Sequence, residues 1–234
     1  MPLSQYLMLM PLADWLALAW FVAVWVGYAV FARRRAERSG SLLATTNHYR
    51  RLWMLQTTAR ENRVVDGVVV QNLSTSPSFF ASTTILIIGG LLALLGTSDK
   101  ASDFVREIPF AARTSIFVFD LKLMVLLVIF IYAFFRFTWS MRQYTFGALL
   151  IASMPDAGTF ERGEAKREPF ADRAGKVVGL AAETFNDGLR AYYMSFATIL
   201  WFVSPIAFAV AAAAVVYLLY QREFYSEILG VLRS

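Results

Sequence analysis

The residues in this sequence most able to do chemistry are charged side chains set within apolar runs. Asp120 and Lys122 stand two residues apart near the start of a stretch that is otherwise almost uncharged. Charges so placed are expensive, and they mark ion or proton pathways when they face an aqueous interior. On a helix, residues two apart point in different directions, so position alone does not make them a pair. The competing reading sets both at the membrane interface, where the cost is small. Ser82, Thr83 and Thr84 open another apolar run. Their hydroxyls, like Gly89 and Gly90 beyond them, suit either a polar pathway or close helix packing. Asp120, Lys122, Ser82, Thr83 and Thr84 are the pathway candidates.

A second set lies in polar, basic sequence: Arg60, Glu61, Arg63 and Asp66, with Asp187 and Arg190 far along the chain. Glu61 and Asp66 with Asp187 or Glu183 offer carboxylates for a divalent ion, and equally for salt bridges between two surface helices. Arg136, Arg142 and Arg190 mark ends of apolar runs. There they anchor to lipid phosphates, or form an anion-favouring ring in an oligomer. The one histidine, His48, serves either as a structural residue or as a pH sensor. Cysteine is absent, which excludes disulfides, cysteine-held metals and thiol nucleophiles. The phosphate-binding loop, the dinucleotide glycine fingerprint, HExxH and GxSxG are absent as well. The expectation is no catalytic residue, no metal, no cofactor and no enzyme activity.

The elements that must position these residues are membrane helices. Hydrophobic residues make up 58% of the chain and charged residues 17%, outside the range of soluble domains. The apolar residues gather in blocks long enough to cross a bilayer. Expected spans are residues 11–31, 79–95, 116–139 and 191–221, in a single integral membrane domain over 1–234. The fold class is all-α, with four transmembrane helices and two amphipathic cytoplasmic segments, 32–78 and 140–190. In the first segment, Leu52, Leu55 and Ala59 share one helical face, and Val64, Val65, Val68 and Val69 another. Asn72 to Ser78, with Pro77, reads as a break. Ser153 to Glu168 reads as a loop, and a helical stripe resumes from Asp172. Ser204–Pro205 is expected to kink the last span.

Orientation follows from charge. Segments 32–78 and 136–190 hold 16 of the 22 Lys and Arg; the other side holds Lys100, Arg106, Arg113, Lys122, Arg222 and Arg233. The positive-inside rule then puts both long segments in the cytoplasm and both termini outside. The N-terminus lacks the basic start of a signal peptide and reads as a retained anchor. The preference for Arg over Lys and the abundant Ala suggest a bacterial inner-membrane protein.

Three stretches carry a family resemblance. They are Arg60-Glu61-Asn62-Arg63 leading into Ser78-Phe79-Phe80-Ala81-Ser82-Thr83-Thr84, then Phe134-Phe135-Arg136-Phe137-Thr138-Trp139-Ser140, then Asn186-Asp187-Gly188-Leu189-Arg190-Ala191-Tyr192-Tyr193. Together they resemble the domain of unknown function 599 family, multi-pass membrane proteins of bacteria and plants. The resemblance runs from the first span to about Tyr220. It implies the multi-pass topology and no activity.

Three functions remain open on these grounds. The leading expectation is a homo-oligomeric channel or transport protein of unknown substrate. The alternative is a non-catalytic accessory or scaffold subunit of a larger membrane complex. The third is an enzyme acting on lipid at the cytoplasmic face. The implied partners are the lipid bilayer and further copies or other membrane subunits, with no nucleic acid.

Overall fold

A computed structural model describes residues 10–38, 40–98 and 115–233, without the side chains of 36–38. Lys100, Arg106 and Arg113, counted above for orientation, lie outside the described residues. The described residues are helical, with no strand. The helices are α1 (Leu12–Arg38), α2 (Leu42–Thr57), α3 (Val64–Leu95), α4 (Ile116–Ala152), α5 (Ala157–Glu161), α6 (Arg167–Leu200), α7 (Pro205–Phe224) and α8 (Glu227–Arg233). Four of these segments are long and apolar enough to span a membrane: those beginning at Leu12, Val64, Ile116 and Pro205. The chain is an all-α membrane protein. At 1.5 Å per residue, α3 with 32 residues is about 48 Å long and α4 with 37 is about 55 Å. Both exceed the hydrocarbon thickness of about 30 Å.

The described residues fall into two compact units. The first takes its residues from ranges 1–35, 84–133 and 189–222, the second from 36–83, 134–188 and 223–234.

In the first unit, Leu91, Phe119, Leu123, Leu126 and Phe130 form a buried cluster, joined by Tyr192 and Phe202. Edge-on aromatic pairs fix the packing: Phe119 with Phe202 at 5.3 Å and Phe130 with Tyr192 at 5.2 Å between ring centroids. Trp201 stacks on Phe208 at 4.8 Å, and Phe21 meets Phe208 at the same distance.

In the second unit, Met54 of α2, Val70 of α3, Tyr144 and Ile151 of α4, and Ala171, Ala174, Val178 and Ala181 of α6 bury one another. The alanines of α6 recur at helical spacing, so this face admits close neighbours. Gly188 continues it, and a Cβ there would meet the Phe137 ring. Phe137 in turn packs between Phe80 and Phe185 at 5.3 and 5.7 Å. The tail folds onto α2: Leu43 N–H donates to Glu223 Oε1 at 3.2 Å and Tyr49 Oη to the Leu232 carbonyl at 3.0 Å. This departs from the expected separation of the tail from segment 32–78.

Three local expectations are corrected. The residues read as one amphipathic helix divide: α2 ends at Thr57, a turn covers 58–63, and Val64 begins α3. Asn62 Oδ1 accepts the Val64 N–H at 3.0 Å, and Asp66 stands in the first helical turn, both features of a helix start. The stretch from Asn72 to Ser78 is no break, because α3 runs through Pro77. A buried proline costs one backbone bond and about 3 kcal/mol, which a 32-residue helix with packed neighbours absorbs. The expected last span, 191–221, is divided as well. Its first ten residues complete α6, a turn covers 201–204, and α7 starts at Pro205. Proline fits the first helical position, where no backbone donor is required. Ser204 precedes it and accepts the Ile206 N–H at 3.2 Å through Oγ.

Candidate functional site

The most concentrated polar arrangement in the first unit joins three helices' ends. Lys122 of α4 places Nζ 3.1 Å from Asp14 Oδ1 of α1. The same ammonium donates to the Trp201 carbonyl at 2.9 Å. Trp201 returns a bond of 2.6 Å from Nε1 to Asp14 Oδ1. Lys122 Nζ also sits 5.3 Å from the centre of the indole ring, within cation–π reach. Asp14, Lys122 and Trp201 are all buried. The α6–α7 turn explains the free carbonyl. Trp201 lies past the end of α6, where helix carbonyls lose their backbone donors.

Asp120 is not part of this arrangement. It is half-buried and keeps one buried oxygen, Oδ1, without a hydrogen-bond partner. The two-residue spacing separates it from Lys122, as helical geometry requires. Sequence reasoning missed Asp14 and Trp201. Asp14 carried a usable signal, being the single charge in its apolar block.

The hydroxyl candidates divide. Thr84 is buried and its Oγ1 lies 2.6 Å from Tyr192 Oη. Thr83 Oγ1 donates to its own helix at the Phe79 carbonyl, 2.9 Å away. Ser82 is exposed.

In the second unit Asp66 is the polar centre. Its Oδ1 accepts from Trp53 Nε1 at 2.7 Å, Thr57 Oγ1 at 3.1 Å and Arg60 at 2.5 Å. Arg63 reaches elsewhere, donating to the carbonyls of Met154 and Pro155 at 2.7 and 2.6 Å. These carbonyls follow the end of α4, so Arg63 caps it. Glu61 is exposed in the turn. Asp187 pairs with Arg136. In the first unit, the buried Arg190 guanidinium lies 5.7 Å from the centre of the Tyr28 ring. The second set thus includes the Arg60–Asp66 and Arg136–Asp187 ion pairs and the Arg63 bonds beyond the end of α4. Among the described residues no three His, Asp or Glu side chains gather as metal ligands. His48 is exposed, its ring edge-on to Tyr49 at 6.0 Å.

Burial also acts on Arg50, whose pKa is lowered by desolvation, partly opposed by the charge interaction with Tyr144. Thr46 Oγ1 at 3.0 Å and Asn47 Oδ1 at 2.7 Å accept from its guanidinium. Asp156 is held below the ordinary carboxylate range, chiefly by the Thr159 backbone N–H.

A family model for proteins of unknown function, DUF599, matches residues 16–228. The chain belongs to DUF599. The match takes in Lys122, Trp201, Asp66 and Asp187, and begins two residues after Asp14. No curated protein and no solved structure matches this DUF599 chain.

Proposed function

We propose that this DUF599 protein is a non-catalytic scaffold or accessory subunit of a membrane assembly. The engagement of Lys122 carries this reading. A lysine in an apolar run is the natural pathway residue, yet Asp14, the Trp201 carbonyl and the Trp201 ring surround its ammonium. A cation so occupied by its own chain fastens helix ends together and leaves little to offer a passing ion. Large apolar side chains meanwhile stand outward along the long helices, Leu86 at 75% exposure and Ile206 at 74%. Lipid or partner helices must cover them.

A homo-oligomeric channel or transport protein is the second reading. Ser82 and Gly89, seven residues apart, are both exposed on α3. A pathway lined by them forms only where several α3 helices meet.

We place the protein in a bacterial cytoplasmic membrane with residues 32–78 inside and the N-terminus outside. The tail follows α2 to the cytoplasmic side, since it packs there. The turn at 201–204 provides the extra reversal. Trp201 bonds Asp14 near the start of α1, so α6 reaches the outer end and α7 returns.

The deciding experiment extracts the full chain from its native membrane in mild detergent, measures its mass and partners, and records conductance in planar bilayers. A stable complex with other membrane proteins, silent across ions and pH, supports the scaffold. A closed ring of this chain alone, with single-channel currents altered by Ser82→Leu, overturns it in favour of the channel.

A further inference from the structure

The first unit has an open apolar groove that neither functional reading uses. It lies between α1 and α4 and offers about 680 Å³. Its walls are two ridges at four-residue spacing: Val22, Val26 and Val30 on α1, and Met124, Val128 and Tyr132 on α4. All six are exposed above a floor that includes the buried Phe21 and Ile129. Such rows are the natural ridges of a helix surface. The lining runs from Leu18 to Arg33 on α1. Fifteen helical steps make this about 22 Å, longer than one leaflet of hydrocarbon.

Arg33 closes one end, the first of a run with Arg34 and Arg35. It is exposed, and it is the one charged residue of the lining. Apolar length ending in a cation is the complement of a lipid: an acyl chain for the ridges and a phosphate for the guanidinium. A helix from another subunit is a poorer fit. Helices in membranes meet over small residues, and among the lining residues only Ala29 is small.

We infer that the α1–α4 groove binds one anionic phospholipid, with an acyl chain between the two ridges and its phosphate at Arg33. The site requires only that the chain lie in a bilayer, whichever reading of its function holds.

The test uses the full chain, delipidated in detergent and titrated with phosphatidylglycerol or phosphatidylcholine of identical acyl chains, with bound lipid counted by native mass spectrometry. Phosphatidylglycerol binds more tightly. Arg33→Gln weakens it about fivefold, the worth of one interfacial cation. Val128→Trp fills the groove and removes both lipids, while Leu86→Trp on α3 changes neither. Equal binding of the two lipids, unaltered by Arg33→Gln, overturns the proposal, as does a dimer that Val128→Trp dissociates. Should the variants misfold, the wild-type chain decides. A photoreactive acyl chain on phosphatidylglycerol labels residues 22–30 and 124–132 above the exposed face of α3. Uniform labelling of both regions overturns the proposal.

Discussion

Lys122 and Asp14 form an ion pair of 3.1 Å between side chains that are 2% and 3% exposed, 108 positions apart in the chain. Burying two charges is costly, and removing one partner leaves the other stranded at about 3–5 kcal/mol. Asp14→Asn or Lys122→Met should therefore sharply lower the thermal midpoint in detergent. The double variant Asp14→Asn/Lys122→Met should recover most of the loss, because no charge is left unpaired. A double variant no better than the sum of the singles would show that the pair contributes nothing as a pair.

Gly188 makes the opposite kind of demand. Alanine favours a helix interior by about 1 kcal/mol over glycine. A Cβ at 188, however, enters the ring of Phe137, which is fully buried between Phe80 and Phe185 and has nowhere to go. Overpacking of this kind costs about 1–3 kcal/mol. Gly188→Ala should be destabilising on balance, and the companion change Phe137→Leu should soften it. A raised unfolding midpoint for Gly188→Ala alone would refute this packing.

Asp156 gives a pH signature at the start of α5. Its Oδ1 accepts the Thr159 N–H at 2.6 Å, which lowers its pKa in the folded chain. A depressed carboxyl stabilises the fold above its unfolded pKa, about 3.9, and the contribution fades as acid takes pH down through the folded value. Hydrogen exchange at Thr159 should accelerate at acid pH relative to neighbouring helices. Asp156→Asn should remove that extra pH dependence.

Topology offers a direct check of the tail. A cytoplasm-active fluorescent reporter fused after Ser234 should be bright, and a periplasm-active reporter at the same place should be inactive. A periplasmic C-terminus would require the bonds from Leu43 to Glu223 and from Tyr49 to Leu232 to be absent in the cell.

The chain's character as a membrane protein was legible because apolar blocks are long and local: Leu123 to Phe135 declares itself without reference to any other residue. Helix ends were harder to read. Ser204–Pro205 has the same letters whether it kinks one helix or opens another, and only the bonds around Trp201 distinguish the cases. Pro77 misled in the other direction, since its local penalty is readable and the packing that absorbs it is not. The pairings at the site were the least legible. Nothing in spacing connects Thr84 to Tyr192 or Lys122 to Trp201, because each contact depends on how distant helices meet.

Arg63 carries two meanings at once. In the sequence it is one of the sixteen Lys and Arg of segments 32–78 and 136–190, and in the proposed orientation it counts toward the side kept inside. To the folded chain it is a clip whose two teeth hold the carbonyls of Met154 and Pro155, 91 and 92 positions downstream. Insertion needs only the charge, which lysine supplies equally well. The clip needs the planar fork, which lysine lacks. Lysine at 63 should thus keep the charge and lose the clip, whereas lysine in place of the exposed Arg34 keeps all that insertion reads there.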